Sequence, residues 1–340
     1  MIRKGLLPFM GGLQKLVPFM LEAAAEVAPR NEWRDWRYHD ITCGSCSGGA
    51  VFQFYGMSVT MNDLAFRSYL SARAIFGPSR SKRPVIEKLI ELAAEGPEPL
   101  NPLGKKRAID LVPGYLHPKA CDIFDALFWA YERGDVSEDE GFYYKFLAIR
   151  WVLANKNYMY FIKLPTEDLK QLALQGPWAK VAKIVSDPLP ALLQIAHDID
   201  HLNHAVRSSG ARDPAQVYMD DCTKLVKELP FDRPSITGLN PPTIGDATFK
   251  QSNRVLDALI YNEWQPIEDD ELPADLWRHL VCETAAHIPD GHFFFNYAGD
   301  GALTWDEAHE VHKTLGKIVK TYTFERKPGQ IAGCVLVRKG

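Results

Sequence analysis

The stretch Tyr38-His39-Asp40-Ile41-Thr42-Cys43-Gly44-Ser45-Cys46-Ser47-Gly48-Gly49 decides the fold class of this chain. Its first five residues have the composition of a short β-strand, the next seven are small, and the apolar run Ala50–Phe54 follows. A strand, a tight turn and a helix form the pattern in which backbone amides line a cofactor pocket. The turn lacks the full dinucleotide fingerprint, but the pattern predicts an α/β fold with its cofactor at this turn.

A second predicted strand, Ser58–Met61, ends in Asn62-Asp63. In nucleotide-binding βαβ units, a carboxylate at the end of the second strand holds the hydroxyls of a ribose. We therefore predict that Asp63 binds the ribose of the cofactor.

The tetrapeptide Asn240-Pro241-Pro242-Thr243 follows a short apolar run, Ile236–Leu239. Two consecutive prolines cannot donate backbone hydrogen bonds, so a strand that reaches them ends in a stiff turn. Asn240 then has a fixed position, from which its side chain and the Pro241 carbonyl would accept hydrogen bonds from the amine of a planar substrate. A proline-stiffened loop without function is the alternative interpretation.

The chain divides by pattern into three blocks. Residues 1–78 and 229–340 alternate strands and helices, whereas residues 79–228 are mainly helical. In the last block, Thr304 is the predicted N-cap of a helix, with Glu307 as its capping-box partner. We predict one sheet built from both ends of the chain, with the middle block inserted. The aromatic residues of that block are predicted core: Tyr143, Tyr144, Phe146, Trp151, Tyr158 and Tyr160.

Length and composition are those of a soluble globular protein with one large domain or two. The chain has 340 residues, of which 46% are apolar and 24% charged, and no apolar window is long enough for a membrane span. The first 20 residues are interrupted by proline, glycine and lysine, unlike a signal peptide. Six scattered cysteines suit a reducing compartment. We therefore expect a cytoplasmic protein.

The charged and metal-binding residue types give weaker signals. A net charge of −4 argues against a protein that coats nucleic acid through charge alone. The clusters 80–83 and 105–107 are predicted phosphate contacts, with solvated surface charge as the alternative. His197, His201 and His204 share one face of a predicted helix, for which an amphipathic polar face is the favoured interpretation. No metal site is predicted, either there or at the Cys43–Cys46 pair.

Taken in order, these motifs resemble the Dam-like adenine-specific DNA methyltransferases. Segment 7–18, Leu-Pro-Phe-Met-Gly-Gly-Leu-Gln-Lys-Leu-Val-Pro, is similar to the glycine-pair motif of that family. Asp40–Phe52 resembles its cofactor loop, and Asn62-Asp63-Leu64 matches its Asn-Asp after the second strand. Asn240-Pro241-Pro242 follows the middle block, as the family's catalytic motif follows its target-recognition insertion.

The resemblance implies a Rossmann-like methyltransferase sheet with a helical target-recognition insertion, residues 79–228. It implies S-adenosylmethionine as cofactor and DNA as partner, with RNA as an alternative and a restriction-modification system as the setting. The residues implied for the cofactor are Phe9, Met10, Gly11, Gly12, Lys15, Asp40, Cys43, Gly44 and Asp63. Those implied for a flipped-out adenine are Asn240, Pro241, Pro242 and Thr243.

The chain departs from the family pattern at several positions. Thr243 stands where an aromatic residue stacks on the base, and we expect Phe249 or Tyr261 to supply that face. Cys46 replaces the second glycine of the loop, which requires either a tolerated backbone angle or a register shifted to Gly48. Three further departures are Leu13 for a lysine, Thr42 for a phenylalanine and Ser235 for an acidic residue.

Two other functions are consistent with parts of the sequence. Gly44-Ser45-Cys46-Ser47-Gly48 matches a nucleophile elbow, and Asp290-Gly291 resembles the Asp-Gly of patatin-like acyl hydrolases. That alternative is an acyl hydrolase or acyltransferase with a Cys46/Asp290 dyad. The other is a non-catalytic nucleic-acid-binding protein on a degenerate methyltransferase scaffold.

Overall fold

The computed structural model of the protein describes residues 16–96, 100–156, 161, 163, 177–241, 247–264, 274–299 and 303–340. The chain forms two compact units. The first comprises Met1–Ala72, His204–Gly245 and Asp269–Gly340, and the second comprises Arg73–Asn203 and Asp246–Glu268. Each unit is therefore assembled from separate stretches of the chain.

A seven-stranded sheet forms the centre of the first unit. Its strands are β1 (Arg37–Asp40), β2 (Ser58–Asn62), β3 (Gln216–Tyr218), β4 (Ser235–Leu239), β5 (Phe293–Ala298), β6 (Lys317–Lys327) and β7 (Gln330–Arg338). They lie in the order β3-β2-β1-β4-β5-β7-β6. Neighbours among β1 to β5 pair in parallel, whereas β7 is antiparallel to both β5 and β6. The predicted Rossmann-like α/β fold, with a sheet drawn from both ends of the chain, is confirmed.

The described part of the chain has helices before the first strand and between later ones. In chain order they are α1 (Val17–Val27), α2 (Ser47–Phe54), α3 (Phe66–Phe76), α4 (Arg83–Glu95), α5 (Ala108–Leu111), α6 (Pro118–Phe128), α7 (Glu138–Ala154), α8 (Pro177–Ser186), α9 (Pro188–Arg207), α10 (Cys222–Leu225), α11 (Ala247–Tyr261), α12 (Ala274–Ala286) and α13 (Trp305–Leu315). A 3-10 helix, Arg30–Asp35, precedes β1. None of the described helices is long and apolar enough to cross a bilayer.

The sheet is covered by helices on both faces, as parallel sheets are. All five residues of β2 and all five of β4 are buried. On one face, the Phe52 ring of α2 lies 4.3 Å from the Tyr38 ring of β1. On the other face, α10, α12 and α13 pack against the sheet in one apolar cluster that contains Trp277 and Phe294. Burial on both faces holds the strand ends of this unit in fixed positions.

Local signals correctly located the helix after β5. The Glu307 backbone N–H donates to Thr304 Oγ1 at 3.3 Å, and the Thr304 backbone N–H donates to the Glu307 carboxylate at 2.9 Å. This is the predicted capping box, and it begins α13 at Trp305.

The second unit is helical in its described residues. The predicted core aromatics Tyr143, Tyr144, Phe146 and Trp151 are fully buried, and the Trp151 indole N–H donates to the Ala120 carbonyl at 3.0 Å. Tyr158 and Tyr160 lie outside the described residues. Along α9, three histidines are exposed while Ile195, Ile199 and Leu202 are buried, so the predicted amphipathic face is confirmed.

The observed units and the predicted blocks differ at β3, α10 and α11; α10 lies within the range 79–228 but belongs to the first unit. β3 lies within the range 79–228, which was predicted to be an insertion, yet it pairs with β2 in the sheet. α11 lies within the range 229–340 but belongs to the second unit. β3 has only three residues, Gln-Val-Tyr, which is too short for a strand pattern to be recognised. The role of the helical unit in target recognition stays a prediction.

Gly49 provides a test of how tightly α2 lies against the sheet. A Cβ at Gly49 would overlap the Met61 sulfur of β2, which is fully buried. We expect Gly49→Ala to lower the free energy of unfolding by about 1–3 kcal/mol, because overpacking forces buried groups to move. In a urea-denaturation double-mutant cycle, Met61→Ala should relieve the overlap, so the two destabilisations should not add. Strictly additive effects would show that the two residues do not interact.

Candidate functional site

The carboxyl ends of β1, β2, β4 and β5 meet at one edge of the sheet. Asp40, the last residue of β1, pairs with Met61 of β2 on one side and with Gly238 of β4 on the other. Because the chain continues from β1 to β2 while β4 lies on the opposite side, the order of the strands reverses at β1. Ligands bind at such switch points in open α/β sheets.

The loop between β1 and α2 has the tight conformation that its small residues predict. The Cys43 N–H donates to the Asn62 carbonyl at 2.8 Å, and the Cys46 N–H donates to the Cys43 carbonyl at 2.7 Å. Cys46 has φ 63° and ψ 17°, in the left-handed region. Cys46 therefore adopts a backbone angle that glycine tolerates best. The register in which the loop matches the cofactor motif of the family stays a prediction.

Asp63, the predicted ribose ligand, fastens this loop to the end of β2. Its Oδ2 accepts from the Gly44 N–H at 2.8 Å, and its Oδ1 accepts from the Ala65 N–H at 2.9 Å. Desolvation raises the pKa of Asp63, opposed by these two hydrogen bonds. Gly44 has φ 50°, and a Cβ built there would meet nothing within 4 Å. The loop therefore presents an open surface next to a partly exposed carboxylate.

Asp40 is fully enclosed below the loop. Its Oδ2 accepts from the Gly49 N–H of α2 at 3.0 Å, whereas its Oδ1 has no partner among the described residues. Burial raises the pKa of Asp40 to about 7, because the charged form has lost its water. Asp40 thus links the end of β1 to the first turn of α2. Cys43, which was also predicted to contact the cofactor, is likewise buried.

Asn62, which matches the family's Asn-Asp pair but was given no role of its own from the sequence, joins three strand ends. Its Nδ2 donates to the Ile41 carbonyl at 3.0 Å and to the Asp220 carbonyl at 2.9 Å. Its Oδ1 accepts from the Asp220 N–H at 2.9 Å. Asp220, two residues after β3, is thereby fixed at the same edge as Asp63. The pair Asp220-Asp221 was a signal in the sequence. It was overlooked because this region was assigned to the insertion.

Asn240 lies directly beside the β1 loop. Its backbone N–H donates to Thr42 Oγ1 at 2.6 Å, and its Oδ1 accepts from the Tyr297 backbone N–H at 2.8 Å. The Nδ2 atom is shielded from water and has no partner among the described residues. Pro241 is buried, whereas Pro242 and Thr243 lie outside the described residues, as do Phe9, Met10, Gly11, Gly12 and Lys15.

A buried pair of polar side chains supports the end of β4 and was missed by sequence reasoning. Asn296 Nδ2 of β5 donates to the Leu239 carbonyl, so its Oδ1 is the acceptor for His312 Nε2 of α13 at 2.7 Å. Burial lowers the pKa of His312 to about 4, so the ring is neutral and donates through Nε2–H. The pair fixes the peptide that precedes Asn240. The available signal was a polar residue, Asn296, among the aromatic residues of β5.

The structure separates the residues of the proposed acyl-hydrolase dyad. Cys46 is fully buried, and desolvation raises the pKa of its thiol, which is opposite to what a nucleophile needs. Asp290 precedes β5, which is parallel to β4. It therefore lies toward the amino ends of the strands, whereas Cys46 lies beyond their carboxyl ends. The Cys46/Asp290 dyad is wrong as a catalytic arrangement.

The two basic clusters of the second unit have intramolecular partners. Lys82 pairs with Glu140, and Arg107 pairs with Asp122 at 2.7 Å. The Lys105 ammonium lies 5.5 Å from the centre of the Trp129 ring. Since these cations already have partners, the predicted phosphate contacts stay a prediction without structural support.

Phe249 and Tyr261, which were expected to supply a stacking face, both belong to α11 in the second unit. Their role in stacking stays a prediction.

Comparison with known proteins gives one weak likeness. No protein-family model matches the chain, and no curated protein matches it. Two solved structures of the rRNA methyltransferase aviRa from Streptomyces viridochromogenes, at 2.4 and 1.5 Å, are similar with a TM-score of 0.39 and identities of 11% and 10%. Each comparison covers 96% of this chain and 84% of that chain. A likeness at this level assigns neither an activity nor a substrate to this protein.

Asp40 gives a pH-dependent test of the buried edge. The folded protein retains the Asp40 proton up to about pH 7, whereas the unfolded chain releases it near its usual pKa of 3.8. Stability therefore falls as pH rises between these two values and is constant above them. Relative to wild type, Asp40→Asn should gain about 2–3 kcal/mol of unfolding free energy between pH 5 and pH 8. Urea denaturation at both pH values measures this, and an unchanged difference would mean that Asp40 titrates normally.

Proposed function

We propose that this protein transfers a methyl group from S-adenosylmethionine to the exocyclic amine of an adenine in DNA. The observation that carries the proposal is the 2.6 Å hydrogen bond between the Asn240 N–H and Thr42 Oγ1. It joins the loop after β1, which has the pattern of a cofactor loop, to Asn240, the first residue of the Asn-Pro-Pro motif after β4. In-line transfer needs the methyl group and the amine about 3–3.5 Å apart, so the residues that bind the cofactor and those that bind the amine must be neighbours.

The strand order supports the same class of enzyme. The order β3-β2-β1-β4-β5-β7-β6, with β7 antiparallel to its neighbours, is typical of Rossmann-like methyltransferases. Fold alone does not define a reaction, so the proposal depends on the residues at the sheet edge.

Residues of the described loop fit the cofactor. The open side of Gly44 leaves room for a ligand against the backbone, and the Asp63 carboxylate beside it retains lone pairs for ribose hydroxyls. When bound, S-adenosylmethionine supplies a methyl group on a cationic sulfur, which is already a strong electrophile. The protein therefore contributes binding and alignment, without a metal or a covalent intermediate.

The chain's own residues hold the amine from one side. In this proposal the Pro241 carbonyl accepts a hydrogen bond from the amine, since β4 ends at Leu239 and Pro241 lies beyond the strand ladder. The Leu239 peptide before it is fixed by Asn296 and, through Asn296, by His312. Held in this way, the turn positions the amine lone pair toward the methyl group at little entropic cost.

We propose that β5 and β6 supply the stacking face for the base, because Thr243 stands where the family pattern has an aromatic residue. The Tyr297 backbone binds the Asn240 side chain, and the Tyr297 ring stacks with Phe324 at 6.3 Å between centroids and 15° between planes. Both rings are partly exposed. Stacking of a base on an aromatic ring contributes about 1–3 kcal/mol, which offsets part of the cost of extruding it from a duplex.

Two substitutions separate cofactor binding from methyl transfer. We expect Asn240→Ala to abolish transfer of labelled methyl to methylation-free genomic DNA while S-adenosylmethionine binding by calorimetry persists. Asp63→Ala should weaken that binding at least about tenfold, because it removes a charged hydrogen-bond acceptor. Full activity of Asn240→Ala would refute the assigned amine site. A wild-type protein that binds no cofactor at millimolar concentration would refute methylation altogether.

Sequencing of the modified sites after this reaction identifies the recognition sequence. Running the same assay on RNA distinguishes the DNA proposal from its RNA alternative. Retained cofactor with no label in either nucleic acid would favour the non-catalytic binding protein.

Tyr297 tests the stacking face. We expect Tyr297→Ala to lower kcat/KM for DNA about 10- to 100-fold, because the base loses one aromatic surface. Tyr297→Phe keeps the ring and should remain close to wild type. Tyr55→Ala, an exposed aromatic at the far end of α2, is the matched control and should have no effect. Equal activity of Tyr297→Ala and wild type would place the stacking face elsewhere.

A further inference from the structure

Two cysteine thiols lie in contact inside the loop that follows β1. Cys46 Sγ is 3.8 Å from Cys43 Sγ, and a disulfide needs its two sulfurs about 2 Å apart. The Cys46 backbone N–H donates to the Cys43 carbonyl at 2.7 Å, so the turn itself holds the two residues together. Rotation of the two side chains, with a small adjustment of the loop, therefore brings the sulfurs within bonding distance.

Both thiols are reduced and protonated in this structure. All six cysteines of the chain are free. The contact with Cys46 and burial raise the pKa of the Cys43 thiol, and burial raises the pKa of the Cys46 thiol. Because the thiolate is the reactive form of cysteine, each thiol by itself reacts slowly with an oxidant. The second step is different, since a thiol in contact captures the first oxidation product without diffusion.

We propose that Cys43 and Cys46 form a redox switch, in which a hydroperoxide joins them in a reversible disulfide that alters the loop after β1. Cys43 is the more exposed residue of the two and reacts first. Its thiolate attacks one oxygen of hydrogen peroxide, the O–O bond breaks, and the products are a sulfenic acid and one water. The Cys46 sulfur then attacks the sulfenic sulfur, the S–O bond breaks, and a second water leaves with the Cys46 proton. The two sulfurs thus lose two electrons, and the peroxide gains them.

The disulfide acts on Gly44, which lies between the two cysteines. The Gly44 N–H donates to Asp63 Oδ2 at 2.8 Å, and the open side of Gly44 faces the proposed cofactor. Joining the sulfurs shortens the span that contains Gly44, so we expect its N–H to move away from Asp63. The effect on cofactor binding rests on the proposed function, whereas formation of the disulfide rests on the geometry of the two thiols.

The test treats the protein, first reduced with dithiothreitol, with hydrogen peroxide and then blocks the remaining thiols with iodoacetamide. Mass spectrometry of the peptide that contains Cys43 and Cys46 should show the loss of two hydrogen atoms and no alkylation. Calorimetry should show an affinity for S-adenosylmethionine that is about tenfold or more weaker after oxidation, because a charged hydrogen bond in the loop is lost. Dithiothreitol should restore the original affinity.

Variants separate this pair from the other thiols. Cys46→Ser cannot form the disulfide, so its cofactor affinity should be the same before and after peroxide. Cys43→Ser gives the same comparison if Cys46→Ser does not fold. Cys282→Ser removes an exposed thiol but keeps the pair, and it should respond to peroxide as wild type does.

Amide hydrogen exchange at Gly44 gives a second measurement that needs no ligand. The exchange should be faster in the oxidised protein, because the hydrogen bond to Asp63 is lost. Alkylation of both Cys43 and Cys46 after peroxide would overturn the inference, as would a disulfide that leaves the Gly44 exchange rate unchanged. A disulfide that leaves the affinity of a cofactor-binding protein unchanged would overturn it as well. If the reduced protein binds no S-adenosylmethionine, the proposed function is refuted, while the peptide mass and the Gly44 exchange still decide the inference.

Discussion

The candidate site depends on the parallel pairing of β1 with β4 and on the Asn240–Thr42 hydrogen bond above it. The two residues are 198 positions apart in the chain. Pairing of Asp40 with Gly238 sets the register that brings them together. Because side chains alternate between faces, a shift of one residue would point Thr42 away from Asn240 and separate the loop after β1 from the end of β4. Strand register is therefore the constraint that creates the site.

Buried polar side chains keep that register from slipping. Asn62 connects the ends of β1, β2 and the segment after β3, and Asn296 connects β5 to the end of β4. Each uses both its donor and its acceptor, which offsets the desolvation cost that an unpaired amide would carry. His312 completes the second group in its neutral form. A slipped strand would leave several of these groups unpaired at once, so the network penalises alternative pairings more than apolar packing does.

Local patterns predicted β1, β2, β4, α2 and α13 of the first unit, because each depended on a few neighbouring residues. The Thr304–Glu307 capping box lies within one helical turn, and the strand before Asn240 is bounded by its prolines. The partners of Asn296 were not predictable, since Leu239 and His312 reach it only after strands and helices have packed. β3 was missed because three residues at the edge of a sheet carry no periodicity. The proximity of Asn240 to the loop after β1 was expected from the family resemblance and not from the spacing of residues in the sequence.

The positions at which the chain departs from the family pattern have physical consequences that differ from one another. Cys46 keeps the backbone conformation of a glycine, which costs roughly 1–2 kcal/mol for a residue with a Cβ, while burial of its side chain offsets part of that cost. The loop after β1 thus has a left-handed residue at position 46 although that residue is a cysteine. Stacking requires an aromatic surface, which Thr243 cannot supply in any conformation. At the sheet edge, however, β4 lies next to β5, which carries Tyr297. The backbone N–H of Tyr297 binds the Asn240 side chain, so its ring is near Asn240 as well. In the proposed site the neighbouring strand therefore supplies the aromatic surface that Thr243 cannot, without moving the Asn240 amide.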